Sequence, residues 1–200
     1  NNNSSSRRLF TTSELPQDLM HDFIHAFIGL APVLSELDLD SFQGLEEDIL
    51  DKIINPTTLK ELRLRNSPIN PDSLKKTLCA MSQIKALNLI GHKNLSSIIT
   101  AQLKVAEIEE LFLDDPDVND ETLGILLEQP SKLKVLVLNN SKGITMWGRL
   151  ANRLVLLERL ELARSNISIK ALAQLIKQAT HLKSLHLSFC TNLKGSIDEE

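Results

Sequence analysis

One hydrophobic phrase, apolar-x-x-Leu-x-Leu, occurs seven times along the 200-residue chain at intervals of 24 or 25 residues. Its copies open at Leu34, Leu59, Ile84, Ile108, Leu133, Leu157 and Leu182. Apolar residues two apart lie on one side of a β-strand, so each phrase predicts a short strand whose leucines face a core. A fixed period over this length predicts one continuous α/β array in which each unit packs on its neighbours.

The segments between the phrases alternate in character. A further apolar residue follows each opening residue by 11 or 10 positions in strict alternation, which predicts two kinds of unit. In the second and fourth copies Asn70 before Pro71, and Asn119 before two acidic residues, are typical helix starts. The odd-numbered segments 94–105 and 143–150 are rich in β-branched residues, serine or glycine. We therefore expect helices after the even copies and 3₁₀ or irregular structure after the odd ones.

The repeated phrase is typical of the leucine-rich repeat, and the chain is identified as a member of that class. The resemblance implies a horseshoe-shaped solenoid of about seven repeats, with parallel strands on the concave face and helices on the convex face. The last copy, with Cys190 eight residues after Leu182, resembles the cysteine-containing repeats of F-box-associated substrate receptors. At the same eighth position, the other copies carry Phe42, Ser67, His92, Pro116, Ser141 and Ser165. The asparagine or cysteine ladder of the family is therefore mostly missing.

Two further resemblances bear on function. Alternating units resemble repeats of the ribonuclease-inhibitor type, which are longer than the 24 to 25 residues found here. Divergent arrays of this period with Asn-rich flanks also resemble the leucine-rich repeat effectors that intracellular bacteria deliver into host cells. These resemblances imply a protein-binding role in the cytoplasm, including the host cytoplasm after secretion.

The domain organisation follows from the extent of the repeat. We expect a flexible N-terminal segment over 1–12 and one leucine-rich repeat domain over 13–200. Between Leu15 and Leu30 apolar residues recur at helical spacing, which predicts an N-terminal capping helix within 13–31. No matching cap is recognisable in the C-terminal repeat, so self-association through that repeat is an alternative to a longer chain.

Composition narrows the function classes. No apolar run approaches the roughly 18 residues that a membrane span requires. The net charge of −4 and the presence of one Trp and no Tyr argue against nucleic acid as a partner. Cys79 and Cys190 lie in distant repeats and are expected to be free, buried thiols, which favours a reducing compartment.

Two clusters of histidine or acidic residues have a spacing found in metal sites. His21 and His25 are one helical turn apart but lack a third ligand, and the Glu of a metalloprotease motif is absent between them. Asp115, Asp117 and Asn119 match the first ligand positions of a calcium loop that lacks its glycine and its bidentate glutamate. We expect no catalytic residue, no metal and no cofactor, and hence no enzyme.

The residues at the second, fourth and sixth positions after each opening residue face away from the core and form three ladders across the strands. The apolar members of these ladders cluster in copies three to five: Ala86, Ile90, Phe112, Val135 and Val137. Charged residues flank them, which is the layout of an interface core with a polar rim. Cross-strand packing that only stabilises the sheet is the other interpretation. The predicted partner-binding residues are Arg63, Arg65, Asn88, Ile90, Phe112, Asp114, Val135, Val137, Arg159 and Glu161.

These patterns predict a non-catalytic protein–protein interaction module that holds a protein partner on the concave face. Phe112 and Val137 are the expected central anchors, and Arg63, Arg65 and Arg159 are expected to set the register. The family resemblance implies a host-directed effector or a ubiquitin-ligase-type adaptor. The alternative is a structural or oligomerisation module of a longer protein.

Overall fold

The computed structural model describes residues 33–42, 50, 54, 58–103, 106–127 and 132–193, together with Asp22. The predicted N-terminal segment 1–12 lies outside these residues, and so does the predicted capping helix within 13–31, apart from Asp22. His21 and His25 also lie outside them. Among the described residues, no helix has the length and apolarity that a membrane crossing requires.

Seven short strands form one parallel sheet whose order follows the chain. They are β1 (Glu36–Asp38), β2 (Glu61–Arg63), β3 (Ala86–Asn88), β4 (Glu110–Asp114), β5 (Val135–Asn139), β6 (Arg159–Glu161) and β7 (Ser184–His186). Each strand begins two residues after a phrase opens, and every register pairs the first strand leucine with its counterpart in the next strand. The predicted α/β class and the predicted parallel strands are confirmed.

Helices lie in the connections between the strands. Those whose bounds lie within the described residues are α1 (Pro71–Ala80), α2 (Leu95–Ile98), α3 (Asp120–Leu126), α4 (Trp147–Leu150) and α5 (Ile169–Gln178), with 3₁₀ turns at Ala151–Arg153 and Thr191–Leu193. The longer helices α1, α3 and α5 follow β2, β4 and β6, whereas the connections after β3, β5 and β7 hold four-residue helices or 3₁₀ turns. The predicted alternation is therefore confirmed for these connections.

The helix starts form as the sequence predicts. The Asn70 side chain accepts hydrogen bonds from the backbone N–H groups of Asp72 and Ser73, and Pro71 is the first helical residue of α1. The Asn119 side chain accepts the backbone N–H of Thr122 at 3.0 Å. Each cap satisfies N–H groups that have no partner within the helix, an effect worth about 1 kcal/mol.

The phrase leucines form the core. In the first six phrases the opening residue and both strand leucines are at most 6% exposed. In the seventh phrase Leu182, Leu185 and Leu187 are half-buried. The same sequence pattern therefore gives a less complete core at β7.

A row of side chains turns inward just beyond the strands, at the eighth position of the phrase. Ser67, His92 and Cys190 are buried there, and each reaches the carbonyl oxygen of a strand leucine in the preceding unit. The distance from the acceptor is 2.7 Å for the His92 ring nitrogen and 3.0 Å for the Cys190 thiol. These buried side chains therefore form similar hydrogen bonds from unit to unit although their residue types differ.

The fourth phrase departs from the others at this point. Asp115 is buried at 1% exposed, whereas Pro116, at the eighth position, is exposed. The Asp115 carboxylate accepts the backbone N–H of Leu95 at 2.7 Å and that of Asp117 at 3.1 Å. In this phrase the seventh position does not have the positive φ found in the other six, and Asp115 fills the inward position from that seventh place.

The seventh position usually bends the chain out of the strand. Its φ is positive in six of the seven phrases, at Ser41, Asn66, Gly91, Asn140, Arg164 and Phe189. A Cβ on Gly91 would lie 2.0 Å from the Asn66 side-chain oxygen, so glycine is needed there. Phe189, at φ 61°, is a bulky side chain in a conformation that favours glycine or asparagine.

Candidate functional site

The strand registers align the predicted ladders on one side of the sheet, which we call the open side. The second-position ladder runs Glu36, Glu61, Ala86, Glu110, Val135, Arg159, Ser184. The fourth-position ladder runs Asp38, Arg63, Asn88, Phe112, Val137, Glu161, His186. These neighbour relations are confirmed as predicted from the phrase.

An apolar cluster occupies the middle of the open side, and we call it the central patch: Ala86, Ile90, Phe112, Val135 and Val137. Ile90, Phe112 and Val135 are half-buried and present apolar surface. Val137 is 2% exposed and Ala86 is 7% exposed, so the expectation that these two face solvent was wrong. Val137 lies between Phe112 and Glu161 in its ladder, and the larger side chains beside it account for its burial.

Phe112, Val135 and Val137 of the central patch lie on the longest strands of the sheet. β4 and β5 each contain five residues and pair along their whole length, from Glu110 with Val135 to Asp114 with Asn139. The other strand pairs extend over three residues. The longer ladder of backbone hydrogen bonds between β4 and β5 fixes the position of the Phe112 backbone relative to that of Val135.

Two polar residues of the predicted site are engaged within the sheet. The Asn88 side-chain oxygen accepts the backbone N–H of Ile90 at 3.1 Å. The Asp114 carboxylate accepts a hydrogen bond from the side-chain amide of Asn140. Both residues border the central patch, and their polar groups are oriented by local structure.

The N-terminal end of the open side carries mixed charge. The Arg63 guanidinium lies 3.7 Å from the Glu61 carboxylate on the same strand, and Arg65 is exposed. The Asp40 carboxylate accepts the backbone N–H of Arg65 at 2.7 Å. Burial raises the pKa of Asp40 above its ordinary value, and the hydrogen bond from the Arg65 backbone opposes that rise.

A connected polar group lies at the C-terminal end of the open side. The Arg159 Nε donates to Glu161 Oε1 at 2.9 Å, and the His186 Nδ1 lies 3.2 Å from the same oxygen. Burial alone would raise the pKa of Glu161, but the hydrogen bonds with Arg159 and His186 outweigh it, and the pKa is lowered. Glu161 therefore orients Arg159, one of the predicted register residues.

Sequence reasoning missed two residues near this end. His186 joins the Arg159–Glu161 pair, and Phe189 is 77% exposed with the Arg164 guanidinium 5.5 Å from its ring centroid. The sequence signal that could have identified Phe189 is an aromatic residue at the seventh position, where the other phrases carry small, polar or charged residues. Its exposure depends on the left-handed turn, which the phrase does not specify.

The remaining candidate groups have structural roles. Asp115 and Asn119 of the calcium-loop hypothesis both accept backbone hydrogen bonds. Cys79 and Cys190 are free thiols, but Cys79 is half-buried rather than buried as expected, 3.9 Å from the Thr100 hydroxyl. Within the described ranges, no group of three or more His, Cys, Asp or Glu side chains could hold a metal ion.

No protein-family model matches the chain, and no curated protein matches it significantly. The described residues define an α/β array of parallel strands with a partly apolar open side. Function is therefore inferred from this surface.

Proposed function

We propose that the chain is a leucine-rich repeat solenoid that binds a protein partner on its open side, without catalysing a reaction. Parallel strands lie about 4.8 Å apart and packed helices about 8 to 10 Å apart. An array with strands on one side and helices on the other therefore curves into a horseshoe. The open side of the sheet becomes its concave face.

The observation that carries the proposal is the partial exposure of Phe112 together with Ile90 and Val135 in the middle of the open side. Apolar side chains that served only to pack neighbouring strands would bury one another, as Val137 is buried. Interface cores combine aromatic and apolar residues with a rim of charged ones, and Arg63 and Arg159 flank the patch. This layout supports a protein partner.

The site residues have different roles in this proposal. Phe112 is the accessible anchor, whereas Val137, its buried neighbour in the same ladder, supports it from the side. Arg159 is held by Glu161 and so loses less conformational freedom when it contacts a partner. Arg63 and Arg65 are exposed at the opposite edge of the patch and set the register there.

A photo-crosslinking experiment tests the site. Phe112 is replaced by a photoreactive phenylalanine analogue, and a matched variant carries the analogue at Ile176, an exposed apolar residue of α5. After irradiation in a eukaryotic cytosolic extract, we expect a discrete crosslinked protein from position 112 and not from position 176. Identical products from both positions, or none from position 112, would contradict the proposal.

A further inference from the structure

The middle of the open side carries negative charge around its aromatic residue. In the third, fourth and fifth phrases the second, fourth and sixth positions hold two carboxylates, Glu110 and Asp114, and no lysine, arginine or histidine. Both carboxylates belong to β4, and Phe112 lies between them on the same side of the strand. The half-buried ring of the central patch is therefore flanked by acidic groups.

The Glu110 carboxylate differs from those of the two other open-side glutamates on β2 to β6. The Glu61 carboxylate lies 3.7 Å from the Arg63 guanidinium, and Glu161 accepts the Arg159 Nε at 2.9 Å. Within the described residues, no side chain forms an ion pair or a hydrogen bond with the Glu110 carboxylate. Glu110 can therefore receive a cation from a partner without losing an internal contact.

The neighbours of Glu110 explain why its carboxylate has no partner. In the second-position ladder Glu110 lies between Ala86 and Val135, and neither side chain can pair with a carboxylate. The Lys134 ammonium donates to Glu109 Oε2 at 2.6 Å. Glu110 is half-buried, so a cation brought beside it is attracted more strongly than beside a fully exposed carboxylate.

Phe112 adds a second attraction for the same cation. A cation is attracted to the face of an aromatic ring when it lies within about 6 Å of the ring centroid. Residues two apart on one side of a strand are about 7 Å apart, so a group on the Phe112 ring can also reach the Glu110 carboxylate.

Arginine fits this pair of groups better than lysine does. Its planar guanidinium stacks on an aromatic ring and presents parallel N–H groups to a carboxylate, whereas the lysine ammonium is a compact and strongly hydrated charge. The aliphatic part of an arginine side chain also covers apolar surface, such as that of Val135 and Ile90.

We propose that the central patch recognises an arginine of its protein partner. The guanidinium stacks on Phe112 and donates to Glu110, while its aliphatic part covers Val135. The strands that carry Arg63 and Arg159 are two strands away from β4 on either side, about 10 Å, and each of these arginines lies beside its own glutamate. The inference rests on the proposed binding role of the open side and specifies the side chain that is bound there.

The first part of the test uses random heptapeptides displayed on phage. The library is selected on the immobilised native chain and, in parallel, on a Phe112→Ala chain. Peptides retained only by the native chain should contain arginine at least about threefold more often than the starting library, because arginine stacks on aromatic rings and is a frequent anchor at interfaces. The frequency of lysine should not rise with it.

The second part measures the contribution of Glu110 with one enriched heptapeptide. Its arginine is replaced by citrulline, which keeps the planar shape without the charge, and both peptides are titrated calorimetrically into native and Glu110→Gln chains. Citrulline should weaken binding about tenfold to the native chain but only about threefold to the Glu110→Gln chain, where the ion pair is already absent.

The matched control is Glu121→Gln, which alters an exposed glutamate of α3. In this variant citrulline should weaken binding by the same factor as in the native chain. Equal effects of citrulline on the native and Glu110→Gln chains would remove Glu110 from the site and overturn the proposal.

The selection separates failure of this inference from failure of the proposed function. Peptides that depend on Phe112 but are not enriched in arginine would overturn arginine recognition and leave the binding role of the central patch in place. Equal enrichment of lysine would contradict stacking of a guanidinium on Phe112. Recovery of no peptide that depends on Phe112 would overturn the proposed function together with this inference.

Discussion

The middle of the sheet and its C-terminal end are made from the same phrase but differ in structure. At β4 and β5 the strands have five residues, their leucines are buried, and the open side carries Phe112 and Val137. At β7 the strand has three residues, its leucines are half-buried, and the open side carries His186. The difference shows that the phrase alone does not determine how completely its leucines are buried. The central units therefore contribute more buried core than β7 does.

The largest effect is expected from removing a central core leucine. Leu136→Ala in β5 removes a fully buried side chain and should lower the free energy of unfolding by about 3 kcal/mol. Leu185→Ala, at the equivalent position in β7, should cost about 1 kcal/mol because less surface is buried. Urea unfolding of both variants measures the difference. Equal losses would remove the distinction between the two regions.

The buried carboxylate after β4 should matter nearly as much. Asp115→Ala leaves the Leu95 and Asp117 N–H groups without their acceptor and should destabilise the chain by about 2 kcal/mol. The exposed Asp117 provides the control, since Asp117→Ala should change the free energy of unfolding by less than about 0.5 kcal/mol. Thermal unfolding of the pair tests this, and a neutral Asp115→Ala would contradict the inward ladder.

His92 should make the central region sensitive to pH. Burial lowers the pKa of His92 below 6.5, and the hydrogen bond to the Leu64 carbonyl partly opposes this. As pH falls, the His92 imidazole is protonated in the unfolded chain near pH 6.5, before it is protonated in the folded chain. The stability contributed by neutral His92 is therefore lost as pH falls below about 6.5.

The matched variant is His92→Ser, because serine fills the same position at Ser67 and Ser141. The difference in free energy of unfolding between the native chain and this variant should shrink from pH 7.5 to pH 5.5. A difference that stays constant, or grows on acidification, would refute a neutral buried imidazole.

The smallest effect concerns the charged ladder along the strand starts. Hydrogen bonds from Lys134 and Lys85 lower the pKa of Glu109, so its carboxylate favours the folded state above its unfolded pKa and that contribution is lost on acidification. Glu109→Gln should cost less than about 1 kcal/mol at pH 7 because the pairs are exposed. Repeating the unfolding in 1 M salt should abolish the loss. A loss unaffected by salt would mean that charge is not its cause.

The strands and their register could be predicted because each strand leucine pairs with the corresponding leucine of the neighbouring phrase, which lies 24 or 25 residues away in sequence. Leu111 pairs with Leu136 and Leu136 with Leu160, as the 24- and 25-residue periods require. The helix starts at Asn70 and Asn119 could be predicted because a cap depends on its own next few residues. Local chemistry and exact repetition therefore determine this part of the fold.

The rest depends on neighbours that the repeat does not specify. Val137 is buried because of the side chains beside it, and periodicity gave no information on their volumes. Asp115 takes the inward position instead of Pro116, and its backbone lacks the positive φ that the other seventh positions have. The exposure of Phe189 follows from a left-handed turn that has the same backbone form at Asn140 and Arg164. These features distinguish one unit from the next, and they determine the candidate sites.

The most direct test of binding at the central patch is the affinity of a Phe112→Ala variant for the protein that crosslinks to position 112. By isothermal titration calorimetry the affinity should fall about 30-fold, equivalent to about 2 kcal/mol, as for removal of a central aromatic anchor. The Ile176→Ala variant should bind within about twofold of the native chain, because Ile176 lies on α5, away from the strands of the open side. Unchanged affinity of a folded Phe112→Ala variant would contradict a binding role for the central patch.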